Sequence, residues 1–437
     1  MLRRVRRVLK TVLVVLPFCL LLGFLYNSRR APEYAMPSSQ SAEDVATTLL
    51  KRKGLRLLHV RTIQSLWAGY GQICHVTATV DTSDTGDQSL EKKSSYILKL
   101  ITPPPTKVDD EGHTRKILSY QVEQHFYRYL APQLPSSIPV AKCLGSINEH
   151  HSDGTSTTAM MLSDLKPKFP VAGEKRHVLS SLQVNATIDW LSSFHGFFWA
   201  RVQDLTSSSL VRPPLEEVQL DGQDASDKSV WLNGGYTYLA TRRKEYANLE
   251  ADEDSEWSIA LTNHIGAKRE SIAEMVAAFL APATTGSTPI ERYQTLIHGD
   301  VKSENLFTSQ SGDTVAFYDF QYTGIGLGVC DLAKLFTCSI PLSMLVADRT
   351  IPHELPMQDG EKALLKRYWN QLQDMGKRDY EWEVFVLHWE IALVDWLRFQ
   401  ASWGFWGNTE WLEARGRSIL KDPLWTEALL NSSSTQA

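Results

Sequence analysis

The sequence predicts an α+β chain of two lobes, a small antiparallel, strand-rich one and a larger, mainly helical one, preceded by one transmembrane helix. Three observations carry this. Between Leu55 and Leu100 the segments LRLLHV, ICHVTATV and SYILKLI are rich in β-branched residues, alternate in hydrophobicity, and are separated by turn-rich stretches such as DTSDTGDQ. After Asp164 the apolar residues recur at helical spacing, as in SSLQVNATIDWLSSFHGFFWA. Near the start, Thr11 to Tyr26 (TVLVVLPFCLLLGFLY) carries no charge.

That uncharged run follows Arg3, Arg4, Arg6, Arg7 and Lys10 and precedes Arg29 and Arg30. It is somewhat short against the roughly 20 residues of a typical span. No small-x-small cleavage site follows it, so residues 1–27 read as an uncleaved signal anchor. The excess of basic charge before the span places the remainder in a lumen, as a type II single-pass protein. A cleaved signal and an Arg-rich organelle-import sequence are the alternatives. Residues 28–46, rich in Ser, Pro and Ala, read as a flexible stalk.

The first lobe is expected over 47–165. After its three strands comes a helix from about Arg115 to Leu130, stopped by Pro132, and then two strands, IPVAKCLGSI and TAMMLSDL, flanking EHHSDGTS. The second lobe is expected over 166–437, with an irregular insertion from Gln203 to about Lys228 and helices at ESIAEMVAAFLA and from EKALLKRYW to the Trp-rich stretch near Trp406. With 437 residues, 43% hydrophobic and 22% charged, the chain can fill two cores. A net charge of -5 argues against nucleic acid as a partner. The five cysteines form no C-x-x-C pair, which points to neither zinc nor a disulfide framework; the four beyond Cys19 read as buried thiols.

The chemistry concentrates in LIHGDVKSENLF, where His298, Asp300 and Asn305 form H-x-D-x-x-x-x-N, and in TVAFYDF, which ends on Asp319. Two short β segments around a polar turn would bring Asn305 and Asp319 together. An amide oxygen and a carboxylate converging on one point suit a hard Mg²⁺ ion that keeps positions for phosphate oxygens. Asp300 is then placed to orient or deprotonate a hydroxyl attacking a γ-phosphate.

HGDVKSEN together with YDF resembles the catalytic and metal-binding motifs of the aminoglycoside phosphotransferase and choline kinase-like family, including its ecdysteroid kinase-like branch, within the protein-kinase-like fold. The resemblance spans about Leu55 to Trp406 and is motif-specific around residues 298–331. It implies ATP- and Mg²⁺-dependent phosphorylation of a small-molecule alcohol. Lys99, on the strand face opposite Tyr96, Leu98 and Leu100, is the candidate cation for the phosphates. Glu123, on a helix stripe with Tyr120, Phe126, Tyr127 and Leu130, is its expected partner, because a carboxylate on an apolar stripe is costly unless paired. Gly69 and Gly71 in WAGYGQI offer backbone amides to phosphates or simply form a turn. Met161 to Leu165 is the expected interlobe connection holding the adenine.

Two features depart from a protein kinase or keep one open. Gln321 stands where D-F-G has glycine, and no A-P-E follows. Lys302 matches the D-x-K-x-x-N of Ser/Thr kinases, where it meets the γ-phosphate. A luminal protein kinase and a non-catalytic kinase-like scaffold are therefore the alternative functions. After Gly324, Gly326 and Gly328, Asp331 is expected to brace the catalytic loop through backbone amides or His298. His195 reads as a satisfied core residue. Glu390 and Asp395, with neighbouring tryptophans, could cage a cation, although Trp389, Leu393 and Trp396 recur at core spacing. The segment Trp231 to Arg242 is a further candidate for the pocket wall.

Overall fold

The computed structural model describes residues 41–81, 93–104, 110–150, 156–205, 208–219, 228–265, 268–282, 290–348 and 350–434. The signal-anchor reading and most of the stalk reading fall outside these residues. Among the described residues no helix is long and apolar enough to cross a membrane.

The first lobe is a five-stranded antiparallel sheet in the order β1-β2-β3-β5-β4, made by β1 (Leu55–Ser65), β2 (Gly71–Val80), β3 (Ser94–Ile101), β4 (Cys143–His150) and β5 (Ser156–Ser163). The alternation of β3 divides its side chains between two layers. Leu98 and Leu100 join Cys74, Val76, Ala78, Ala159 and Met161 in one buried cluster. Lys99 lies on the other face, paired in register with Ile73 and Met160.

The apolar cluster is covered by helix α1 (Ala42–Lys51), which buries Val45, Ala46, Leu49 and Leu50. This corrects the stalk boundary at residue 46. Ser41 and Asp44 form a reciprocal capping box that starts the helix, and the sheet supplies the apolar surface that holds it. The other face receives helix α2 (Glu111–His125), capped by Asp110. Its α-helical part begins and ends several residues earlier than Arg115–Leu130; the chain continues as a wider turn through Phe126–Leu130.

In the second lobe, α3 (Ser181–Phe198) opens on a Ser180–Gln183 capping box. Two small sheets follow, β6 (Val171–Ala172) with β8 (Leu306–Thr308) and β9 (Val315–Phe317), and β7 (Gln294–Ile297) with β10 (Gly324–Leu327). They carry the polar loops at the lobe junction. Behind them lie α4 (Val329–Cys338), α5 (Asp359–Asp374) and α6 (Trp382–Trp403), with Trp389, Leu393 and Trp396 buried as their spacing predicts. Of the four described cysteines, all free, Cys74 is buried while Cys143, Cys330 and Cys338 are only partly so, a correction to the reading of all four as buried.

Leu49 is fully enclosed under the sheet. Leu49→Ala is expected to cost about 2–5 kcal/mol in urea unfolding. A stalk residue would show no measurable change.

Candidate active site

Lys99 is 6% exposed, and its ammonium has two partners. Nζ lies 2.6 Å from Glu123 Oε2 on α2 and 3.1 Å from Asp319 Oδ1 in the second lobe. Burial works to lower its pKa, but Asp319 and Glu123 outweigh that and hold it raised and charged. The predicted Lys99–Glu123 pair is therefore present, and Asp319 is joined to it.

The loop after β7 is built around an enclosed carboxylate. Asp331, at the start of α4, accepts hydrogen bonds from the amides of His298 (2.7 Å) and Gly299 (2.9 Å) and lies 3.2 Å from His195 Nε2. This matches the expected bracing role, and His195, also bonded to Tyr368, is the expected buried core residue. Gly299 has φ +85°, and a Cβ there would come within 2.1 Å of the Tyr322 carbonyl. Only glycine fits that turn. His298 donates from Nε2 to the Tyr318 carbonyl, leaving Nδ1 to accept from the Asp300 amide. Burial lowers its pKa against the opposing charge of Asp331, consistent with that neutral tautomer.

Asp300 is held on one side only. Its Oδ2 accepts from Asn305 Nδ2 at 2.9 Å and lies 3.1 Å from Lys302 Nζ, while Oδ1 has no hydrogen bond among the described residues. Lys302 is shared with Glu304 at 3.0 Å. Burial works to lower the Lys302 pKa, and Asp300 and Glu304 more than restore it. Asn305 spends its amide nitrogen on the Asp300 carbonyl and carboxylate, which leaves its oxygen unbonded among the described residues.

The β8–β9 hairpin brings Asn305 and Asp319 to one end, as predicted. Leu306 pairs with Phe317, and the Tyr318 amide donates to the Asn305 carbonyl. Asp319 has φ +65°, a left-handed conformation that costs a non-glycine residue about 1–3 kcal/mol. The next residue shows what holds it. Phe320 is fully buried and stacks on Phe126 with centroids 3.8 Å apart, beside His298 at 4.6 Å. Turning Phe320 inward leaves Asp319 directed at Lys99. Asp319 Oδ1 accepts from Lys99 and from Gln321 Nε2; Oδ2 has no hydrogen bond among the described residues.

Other expectations are placed differently. Gly71 (φ +135°) is required by sheet packing, since a Cβ would meet the Leu100 carbonyl at 2.1 Å. The Gly69 amide closes a turn onto the Leu66 carbonyl, with open space around its Cα. In the interlobe connection, Asp164 accepts from Ser95 and from the Lys166 amide and so shapes the turn. Glu390 pairs with Arg415 and Asp395 with Arg398, so both carboxylates serve internal arginines.

The segment Trp231 to Arg242 does lie against the loop. The Gly235 amide donates to the Tyr322 carbonyl, and Tyr236 packs between Tyr322 and Phe399. Burial, followed by the charge of Asp300, pushes the Tyr236 phenol well above its usual range. Tyr322 and Phe399 went unread in the sequence because aromatics beside a core stretch carry no signal of their own.

Residues 70–377 match the model of the ecdysteroid kinase-like family, a stretch that includes Lys99, Glu123, the H-x-D-x-x-x-x-N loop and Asp319. The chain belongs to the ecdysteroid kinase-like family. Its architecture is α+β, a five-stranded antiparallel sheet followed by a mainly helical part. Similar solved structures include a macrolide 2'-phosphotransferase from Brachybacterium faecium, at 13% identity and TM-score 0.38, covering 89% of this chain and 96% of that one. An ethanolamine kinase from Plasmodium vivax has 11% identity and TM-score 0.34, covering 92% and 98%. An amicoumacin kinase in complex with AMP-PNP and Ca²⁺ has 12% identity and TM-score 0.34, covering 89% and 92%. These likenesses are too distant to carry residue correspondences. No curated protein matches the sequence.

Asp331 supplies a test of the loop's construction. Burial raises a carboxyl pKa, but the His195 hydrogen bond and the neighbouring positive charges bring this one below its ordinary value. A carboxylate lowered in this way adds stability above its unfolded pKa of about 3.9, and that stability is lost as pH falls through the folded value. Asp331→Asn is expected to lose about 2–4 kcal/mol at pH 7 in urea unfolding. The gap from the parent should narrow below about pH 4; a gap independent of pH would contradict this account.

Proposed function

We propose that the chain is a phosphotransferase that moves the γ-phosphoryl group of ATP to a hydroxyl of a small molecule, with a divalent cation such as Mg²⁺. The observation that carries this is the convergence of Lys99, Asp319, Asn305 and Asp300 where the lobes meet, each with a different part of its bonding capacity left open.

The donor set fits the cation. Asp319 Oδ2 and the Asn305 side-chain oxygen are hard oxygens without a hydrogen-bond partner among the described residues, and two protein ligands are what Mg²⁺ takes when phosphates and water complete its shell. When bound, the cation would neutralise phosphate charge. The chain's own residues do the rest by position and charge. Lys99, kept charged by its two carboxylates, presents a cation toward the phosphates. Asp300, with Oδ2 tied to Asn305 and Lys302, directs Oδ1 at an incoming hydroxyl. Lys302, on the same loop, adds positive charge beside the transferring group.

Family membership supports a small-molecule acceptor over a protein. Tyr236 and Tyr322 add aromatic surface beside Asp300, which suits an acceptor with apolar area around its hydroxyl.

The test is Mg²⁺-dependent ATP consumption by the full chain with a pool of small alcohols, amino alcohols and sterols. At least one member should stimulate turnover, and Asp300→Ala should lower kcat about 100- to 10,000-fold while leaving ATP affinity and thermal stability near the parent's. Equal turnover in parent and variant, bound ATP with no transfer to any small molecule, or transfer to peptides alone would overturn the proposal.

A further inference from the structure

Gln321 occupies the position where a D-F-G motif has glycine, and the structure gives its side chain two partners. Nε2 donates to Asp319 Oδ1 at 2.6 Å, and Oε1 lies 3.0 Å from Ser119 Oγ on α2. The amide orientation follows from its neighbours. An ionised Asp319 only accepts, so the NH₂ end must face it, leaving the oxygen for the Ser119 hydroxyl. Ser119 is fully buried, and its other partner, the Lys116 carbonyl at 2.8 Å, would compete for the same proton.

Ser119 and Glu123 are four residues apart and share one face of α2. Glu123 reaches Asp319 Oδ1 through Lys99, and Ser119 reaches the same oxygen through Gln321. One helix thus holds a single oxygen of the carboxylate through two contacts, and Oδ2 is the atom left over. The Asp319 backbone is held by the buried Phe320, so what the Gln321 and Lys99 contacts fix is the orientation of the carboxylate.

We propose that Gln321 is a positioning residue: with Ser119 it fixes the Asp319 carboxylate with Oδ2 directed at the cation, so that cation affinity depends on a contact to α2 that a glycine at this position cannot make. This rests on the reading of Asp319 as a cation ligand. The Gln321 main chain is held separately, by Trp231 Nε1 donating to its carbonyl at 2.8 Å, so removing the amide leaves the turn anchored.

The probe is Mn²⁺ bound with a non-hydrolysable ATP analogue, followed by electron paramagnetic resonance on the full chain beside thermal unfolding. Gln321→Ala and the volume-preserving Gln321→Met should each weaken Mn²⁺ binding by about tenfold or more, with the melting temperature near the parent's. Ser119→Ala should weaken it less, and should add nothing in the Gln321→Ala background, since the two residues act in series. Unchanged Mn²⁺ affinity in both Gln321 variants, or an additive Ser119 effect, overturns the proposal. Asp319→Asn separates the two levels: if it binds Mn²⁺ like the parent, the ligand role of Asp319 fails, and the role of Gln321 fails with it.

Discussion

The Lys99 ammonium lies between Glu123 of the first lobe and Asp319 of the second, at 2.6 and 3.1 Å, and nearly everything else at the junction is arranged around it. A buried unpaired ammonium costs several kcal/mol, and one carboxylate in good geometry only partly offsets that. Two carboxylates from opposite lobes keep it charged and make its position a statement about how the lobes meet. A shift of α2 would strand Glu123, and a change in the Asp319 turn would strand the other side.

Three aspartates divide the labour by environment. Asp331 is wholly enclosed and uses its oxygens on two backbone amides and a histidine, which makes it a structural keystone of the loop. Asp300 keeps one oxygen tied and one open. Asp319 stands in a strained conformation, and the burial of Phe320 against Phe126 supplies the packing that opposes the strain. Removing a fully buried Phe typically costs about 3–5 kcal/mol, more than the roughly 1–3 kcal/mol of the backbone conformation. The aromatic plug can therefore hold the turn.

The legible parts of the site were those where a local cost demanded a partner. Lys99 interrupts a strand that faces a core, and Glu123 interrupts an apolar helix stripe, so each charge implied the other. Asn305 and Asp319 were legible because a polar turn between short strands fixes which residues end up opposite. The Gln321–Ser119 contact was not, since nothing in an isolated glutamine or a helical serine announces a partner about 200 residues away. Helix α1 was misread because Ser and Ala in its vicinity resemble a linker. The Ser41–Asp44 cap was visible in the sequence, but the sheet surface that makes the helix worth forming was not. Gly71 was ambiguous for a similar reason, because close approach to a neighbouring strand and to a ligand call for the same residue.

The most direct test of the central claim, that a doubly paired lysine at the lobe junction forms the phosphate end of a nucleotide site, is calorimetric titration of ATP with Mg²⁺ into the parent chain and into Lys99→Met. The parent should bind ATP. The variant, still folded, should bind at least about tenfold more weakly, corresponding to loss of one charge-assisted hydrogen bond. A parent that gives no binding heat and no thermal stabilisation by ATP, or a variant that binds as tightly as the parent, would contradict it.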